Sequence, residues 1–210
     1  MRIFIIRHAE STANVLGVLA GRSAGVDLSE SGESQAKRLG EIFNNINMDL
    51  VISSPIQRCL TTAKIAIPHY SKFDTDASFT ELDFGDWTGS KLTDLTKKES
   101  WKTVRNTPGN FRFPNGESFV ELRDRVSLGF LKLIEKHQDK SNIALFTHAD
   151  VIKMLVSWLL DSDINKFQRI VIDPASICIV STSNQDFTLR GVNLDANSER
   201  IQKEFKDGNN

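Results

Sequence analysis

Cysteine is scarce in this 210-residue chain: Cys59 and Cys178 each stand alone, so local spacing builds neither a disulfide framework nor a paired-cysteine metal knuckle. A reducing cytoplasm is the compartment this usage predicts. Long apolar runs are missing too, and none reaches the ~18–20 residues that a membrane-spanning helix requires, so no membrane partner is expected. The opening Met1-Arg2-Ile3-Phe4-Ile5-Ile6-Arg7-His8 is too short for the apolar region of an export signal and carries no small-residue cleavage site. Nor is there an excess of charge of one sign: 26 basic residues face 27 acidic ones, without long blocks of either. That excludes the electrostatic footprint of a protein that wraps nucleic acid or coats an anionic membrane, and leaves anion binding as a local matter.

Ordinary apolar content at this length fits one large domain, expected over residues 1–192, with a polar and frayed or disordered tail from Asn193 to Asn210. Short apolar runs alternate with segments of helical period, which predicts an α/β fold of three layers, a mainly parallel sheet with helices on both faces. Strands are expected at Arg2–Ile6, Leu50–Ser53, Ile143–Phe146 and Ser176–Ser181, with an edge strand at Phe187–Val192. A helix is expected from near Ser31, carrying Ala36, Leu39, Ile42 and Phe43 at helical spacing. Pro55 suits the opening of a second helix running through Ile56 to Ala66. Ser118 and Glu121 form a capping box ahead of a long helix to about Lys136, and Val151–Leu160 reads as an apolar helix. Between Asp83 and Pro114 periodicity is weak, which predicts irregular structure with a short helix overhanging the sheet.

The informative polar residues fall at strand ends. Arg7 and His8 follow the first strand, Ser53, Ser54 and Arg58 the second, and Thr147 and His148 the Ile143 strand. Parallel strands bring their carboxyl ends to one edge, where α/β folds bind ligands, so two histidines and two arginines from distant parts of the chain are expected to meet. Guanidinium forks match phosphate oxygens, and two of them beside histidines repel one another unless a dianion lies between. Neutral imidazole is a competent nucleophile toward phosphorus, and flanking cations stabilise charge on the equatorial oxygens. A phosphomonoester also needs a proton for its departing oxygen, which a carboxyl group of raised pKa supplies. Glu81 has a modest lead for that part over Glu10, Asp83, Asp86 and Asp150, and Asp150 is also a candidate neighbour of His148.

Arg7-His8-Ala9-Glu10-Ser11-Thr12-Ala13-Asn14 resembles the opening motif of the histidine phosphatase superfamily, the phosphoglycerate mutase-like proteins. Four further blocks agree in order: Ser53 through Ala63, Glu81 through Gly89, Pro114-Asn115-Gly116-Glu117-Ser118, and Thr147-His148-Ala149. The resemblance implies that His8 is phosphorylated, that Arg7, Arg58, His148 and Ala149 hold the phosphoryl oxygens, and that Asn14 joins them. It implies that Glu81 protonates the leaving group and then activates water, with no metal and no cofactor. The Val18–Ser23 loop looks like the one that frames substrate, with Gly21 and Arg22 as contacts.

Two departures bear on activity. Ala9 and Ala149 stand where the family usually or often has glycine, a mild change, and Leu82 and Phe84 stand where mutase members carry arginine and tyrosine. The second favours hydrolysis of a small phosphorylated metabolite over phosphoglycerate mutase activity, and the region from Phe167 to Ser176 is similar to the small bacterial phosphatases of the family. A phosphoglycerate mutase and a non-catalytic module that binds phosphorylated ligands are the alternatives.

Other phosphatase signatures fail. Asp74-Thr75-Asp76 imitates an aspartate pair used with magnesium but follows a poor strand, neither cysteine has arginine at the required spacing, and no Gly-rich phosphate cradle occurs. Metal binding by His8 and His148 is opposed by the charges of Arg7 and Arg58. Trp87 and Trp101 either line a substrate mouth or pack a loop on the sheet, and Cys59 reads as a buried, inert thiol.

Overall fold

The computed structural model describes residues 1–44, 46–70, 72–183 and 186–196. Its sheet contains β1 (Arg2–Arg7), β2 (Leu50–Ser53), β3 (Asp74–Thr75), β4 (Asn142–Thr147), β5 (Ile177–Ser183) and β6 (Asp186–Leu194), in the order β3-β2-β4-β1-β5-β6. The first four run parallel, while β5 and β6 add antiparallel on the far side of β1. Residues 3–6 of β1 are fully buried because both faces of this central strand are covered, which its continuous apolar run anticipates. Alternation then divides them: Ile3 and Ile5 enter one core with Leu122, Val126 and Phe130, whereas Phe4 and Ile6 enter the other with Leu39, Phe43 and Ala63. The expected three-layer α/β architecture is thus present.

The helices are α1 (Thr12–Val15), α2 (Glu30–Phe43), α3 (Gln57–Ala66), α4 (Leu92–Leu95), α5 (Ser100–Asn106), α6 (Phe119–Lys136) and α7 (Ala149–Leu159). Among the described residues no helix is long and apolar enough to cross a membrane. The capping box of Ser118 and Glu121 opens α6 as expected. Other boundaries differ for identifiable reasons. Ser29, not Ser31, caps α2, because its side chain accepts the Gly32 amide. Pro55 lies outside α3, since the Ile56 amide is taken by Ser54 Oγ and the helix begins only at Gln57. His148 is the cap of α7, three residues before the expected apolar stretch.

Asp74 and Thr75 pair with Ile52 and Ser53 as a short edge strand that two residues of pattern cannot reveal. The overhanging segment holds two short helices, α4 and α5, and an aromatic cluster in which Trp87 meets Trp101 of α5, Phe111 and Phe113. Asn193 and Leu194 belong to β6 rather than to a tail, and the Asn193 amide donates to Asp173. The remainder of the expected tail, 197–210, lies outside the described residues.

Register sets the site. Arg7 lies opposite Thr147 and Ser53 opposite Phe146, and the pairing runs one residue past the strands, with His8 N–H donating to Thr147 O and Ser54 N–H to Phe146 O. Just beyond, the first turn of α2 packs so closely on the chain after His8 that a Cβ on Gly32 would lie 1.9 Å from the Glu10 carbonyl oxygen. Although alanine is the better helix former by ~1 kcal/mol, Gly32→Ala is therefore expected to lower stability by ~1–3 kcal/mol through overpacking. Urea unfolding checks this, and an unchanged or higher midpoint would contradict the packing argument.

Candidate active site

Past these strand ends lies a cavity of about 500 Å³ lined by Arg7, His8, Asn14, Arg58, Glu81 and Ala149 among others. The two imidazoles meet edge to face with ring centroids 5.3 Å apart. Arg58, 2% exposed, reaches them from the first turn of α3. Its Nε donates to His8 Nε2 at 3.1 Å, while one terminal nitrogen donates to the Gly21 carbonyl at 2.8 Å and to His148 Nδ1 at 3.1 Å. A guanidinium has no acceptor, so these contacts assign the tautomers. His8 carries its proton on Nδ1, donated to Ala9 O at 2.7 Å, and turns the lone pair of Nε2 toward Arg58. His148 carries its proton on Nε2, donated to Ser54 Oγ at 2.8 Å.

Electrostatics agree with neutral rings. Burial, then Arg58, holds both imidazole pKa values well below the ordinary value, with Arg7 adding to the effect. Arg7 donates to Ile172 O at 2.6 Å. Arg7 Nε and Arg58 Nη1 are buried without a hydrogen-bond partner among the described residues. Buried donors left unpaired are costly, and two cations at one end of a cavity make that end anion-seeking.

Of the five acids considered, Glu81 and Asp150 line the cavity. Glu10 instead accepts from Ser29, Asp83 from Arg22 and the Gly85 amide, and Asp86 from Asn115. Glu81 is buried, with Oε2 3.6 Å from His148 Nδ1 and 3.8 Å from Arg58. Burial first and the charge of Asp150 second push its pKa up to about 7, against the pull of Arg58. Asp150 is itself paired with Lys153 at 3.2 Å.

Asn14 is exposed at the cavity wall, and its Oδ1 accepts the Ser11 amide in the capping box of α1, which leaves its NH₂ as a donor. Ala149 opens α7, where first-turn amides have no intrahelical partner. Gly21 lines the cavity and contributes its carbonyl to Arg58. Arg22 does not line the cavity; it is drawn away to the Glu81 carbonyl, Asp83 and Glu117. Trp101 lines the cavity while Trp87 is packed beneath it. Cys59 is buried, and burial raises its thiol pKa, so it stays protonated.

Several positioning roles escaped sequence reasoning. Thr62 Oγ1 accepts the Ala9 amide and donates to the Arg58 carbonyl, tying the segment after His8 to α3. Arg125 grips both oxygens of Glu117 and the carbonyls of Ser78 and Thr80, while Thr147 Oγ1 holds the Phe79 carbonyl, so the chain leading into Glu81 is clamped. Glu117 had a signal in the Gly116-Glu117-Ser118 block. Arg125 had none, being one charge among many on a helix.

A family model described as histidine phosphatase superfamily (branch 1) matches residues 3–195. Phosphoserine phosphatase 1 of Hydrogenobacter thermophilus is 27% identical over 197 residues, covering 92% of this chain and 92% of its own. A Citrobacter koseri protein named "Probable phosphoglycerate mutase GpmB" is 31% identical over 163 residues, 76% of this chain and 75% of its own. The crystal structure of the alpha-ribazole phosphatase from Shigella flexneri superposes with a TM-score of 0.83 at 26% identity, covering 92% of this chain and 96% of that one. Match and architecture together place the chain in the histidine phosphatase superfamily, as an enzyme of that type.

Proposed function

We propose that this chain hydrolyses phosphomonoesters through a phosphohistidine formed on His8, without a metal. The observation that carries the reading is the pair of buried, unpartnered guanidinium nitrogens beside the lone pair of His8 Nε2. A phosphoryl dianion supplies the acceptors that Arg7 Nε and Arg58 Nη1 lack, with the Asn14 NH₂ and the Ala149 amide as further donors. His8 Nε2 then attacks phosphorus in line as the bond to the alcohol oxygen breaks, and Glu81 gives its proton to that oxygen. Dianion binding offsets the charges that keep His148 neutral, so its Nδ1 takes a proton from solvent as the ester binds, donates it to the phosphoryl group in a hydrogen bond, and returns it to solvent when phosphate leaves. In the second half, Glu81 as carboxylate takes a proton from water, whose oxygen attacks phosphorus. The P–N bond breaks, releasing phosphate and restoring neutral His8.

The kinship with a named mutase favours a second reading, in which the phosphoryl group returns to substrate rather than to water. Leu82 and Phe84 oppose it, since neither offers the polar contact expected of a mutase at those positions. Phosphate release measured against mutase flux under bisphosphoglycerate priming separates the two, and flux exceeding release would favour the mutase.

Rapid quench of the native enzyme is expected to trap phosphate that is acid-labile and alkali-stable, and His8→Ala to lose turnover by ~10³-fold or more. Full activity in that variant would end the proposal, as would loss of activity in a metal chelator.

Because Glu81 must begin protonated and its pKa is about 7, turnover of alkyl esters is expected to fall as pH rises above that value. Glu81→Gln should cost ~10²–10⁴-fold and abolish this limb, with a smaller loss for p-nitrophenyl phosphate, whose leaving group needs no proton. An unchanged pH profile in Glu81→Gln would assign the acid elsewhere.

A further inference from the structure

Beyond the phosphate end, the cavity changes character. Leu19, Leu92, Trp101, Val104 and Ile170 give it apolar walls, and Leu92 and Val171 at its boundary are 38% and 65% exposed. One wall is held as a unit, since Val18 bridges Lys91 and the Leu92 amide donates to Gly17 O. Trp101 is half-buried and stacked on buried Trp87, with ring centroids 6.1 Å apart and planes at 23°, so its backing is rigid. The volume of about 500 Å³ falls in the ~300–1,000 Å³ range of sites that enclose drug-sized ligands.

Charge narrows the class. A substrate with a carboxylate near its phosphate, such as phosphoserine or phosphoglycerate, needs a cation next to the phosphate end. The charged groups lining that region besides Arg7 and Arg58 are Glu81, Asp150 and Lys153, and the lysine is paired with Asp150. Arg22 lies outside the lining and is committed to Asp83 and Glu117, while Arg105 lines the cavity from α5, beside Val104 on the apolar wall, and is exposed.

Resting on the phosphatase reading, we infer that the preferred substrates are monophosphates of aromatic or similarly bulky apolar alcohols, seated against Trp101, Leu92 and Val171, and not small carboxylated phosphoesters. Kinetics on 2-phenylethyl phosphate and ethyl phosphate test this with the same type of leaving group, with O-phosphoserine and 3-phosphoglycerate as the carboxylated comparison. The phenyl ring is expected to raise kcat/KM by ~10- to 100-fold through burial of its surface, with both carboxylated esters below 2-phenylethyl phosphate. A ratio near one, or either carboxylated ester exceeding 2-phenylethyl phosphate, would overturn the inference.

Trp101→Ala should lower the phenyl-to-ethyl ratio by at least ~3-fold. Since it also removes packing from Trp87, a double variant at exposed positions, Leu92→Ser with Val171→Ser, serves as its partner and should lower the ratio in the same direction. An unchanged ratio in both would remove these residues from the site. Calorimetric titration with 3-phenylpropylphosphonate and propylphosphonate, which cannot be cleaved at a bridging oxygen, separates recognition from turnover. Aromatic preference in binding with no ester hydrolysed would sink the hydrolase reading and keep the recognition of an apolar group, now as a ligand rather than a substrate. Hydrolysis without preference in either assay would do the reverse, and absence of both would end both.

Discussion

The site depends on one buried cation. Arg58 sits almost wholly out of water, and a guanidinium cannot shed its charge to relieve that cost. Its neighbours are chosen accordingly: the Gly21 carbonyl, a lone pair from each of two imidazoles, and a carboxyl group 3.8 Å away. Everything distinctive about the site follows from that arrangement. The rings stay neutral because burial and a nearby cation both oppose a second charge. Their tautomers are fixed because the cation can only donate. One nitrogen of the guanidinium is left over, and with Arg7 Nε it gives the cavity floor two donors for an anion.

Holding such a group where its charge is useful demands stiffness around it, and the fold supplies this at long range. Parallel registration of β1 with β4 and of β4 with β2 fixes His8, Ser54 and His148 relative to one another. Thr62 then ties the Arg58 backbone to Ala9, so imidazole and guanidinium are braced by the same helix turn. Glu81 lacks a strand beneath it. Its segment is gripped by Arg125, Glu117 and Thr147, which do for an irregular stretch what the ladder does for the strands.

Strand-end logic made much of this visible beforehand. Arg7, His8, Thr147 and His148 stand out because polar residues directly after apolar runs are anomalous, and Ser118 with Glu121 announces a helix by local chemistry alone. What stayed hidden lies in contacts between distant residues. Nothing local distinguishes Ser29 from Ser31 as a cap, since the choice turns on which side chain reaches Gly32. Ser54 stood out at a strand end, yet its sequence position does not show that it orients His148 from 94 residues away. Arg22 stood in the right loop but turned outward, because Asp83 and Glu117 outcompete the cavity for it. Trp87 and Trp101 were indistinguishable by type, and tertiary packing alone made one a floor and the other a wall.

The resting place of the proton also follows from geometry. His148 turns an unprotonated Nδ1 toward Glu81 Oε2 at 3.6 Å, so two acceptors face one another with the Arg58 donor beside them. Were Glu81 ionised, its carboxylate would be buried, close to Asp150 and opposite a lone pair, with Arg58 the main compensation. A proton on Glu81 relieves burial and repulsion together, whereas a proton on His148 would set a third positive charge beside Arg7 and Arg58. The geometry therefore favours the proton on the carboxyl group and keeps both rings neutral. An arriving phosphoryl dianion reverses the second penalty, because added negative charge makes a protonated His148 favourable. On the proposed reading, the ligand that brings the leaving group needing a proton thus creates the field in which His148 becomes a donor and Glu81 remains one.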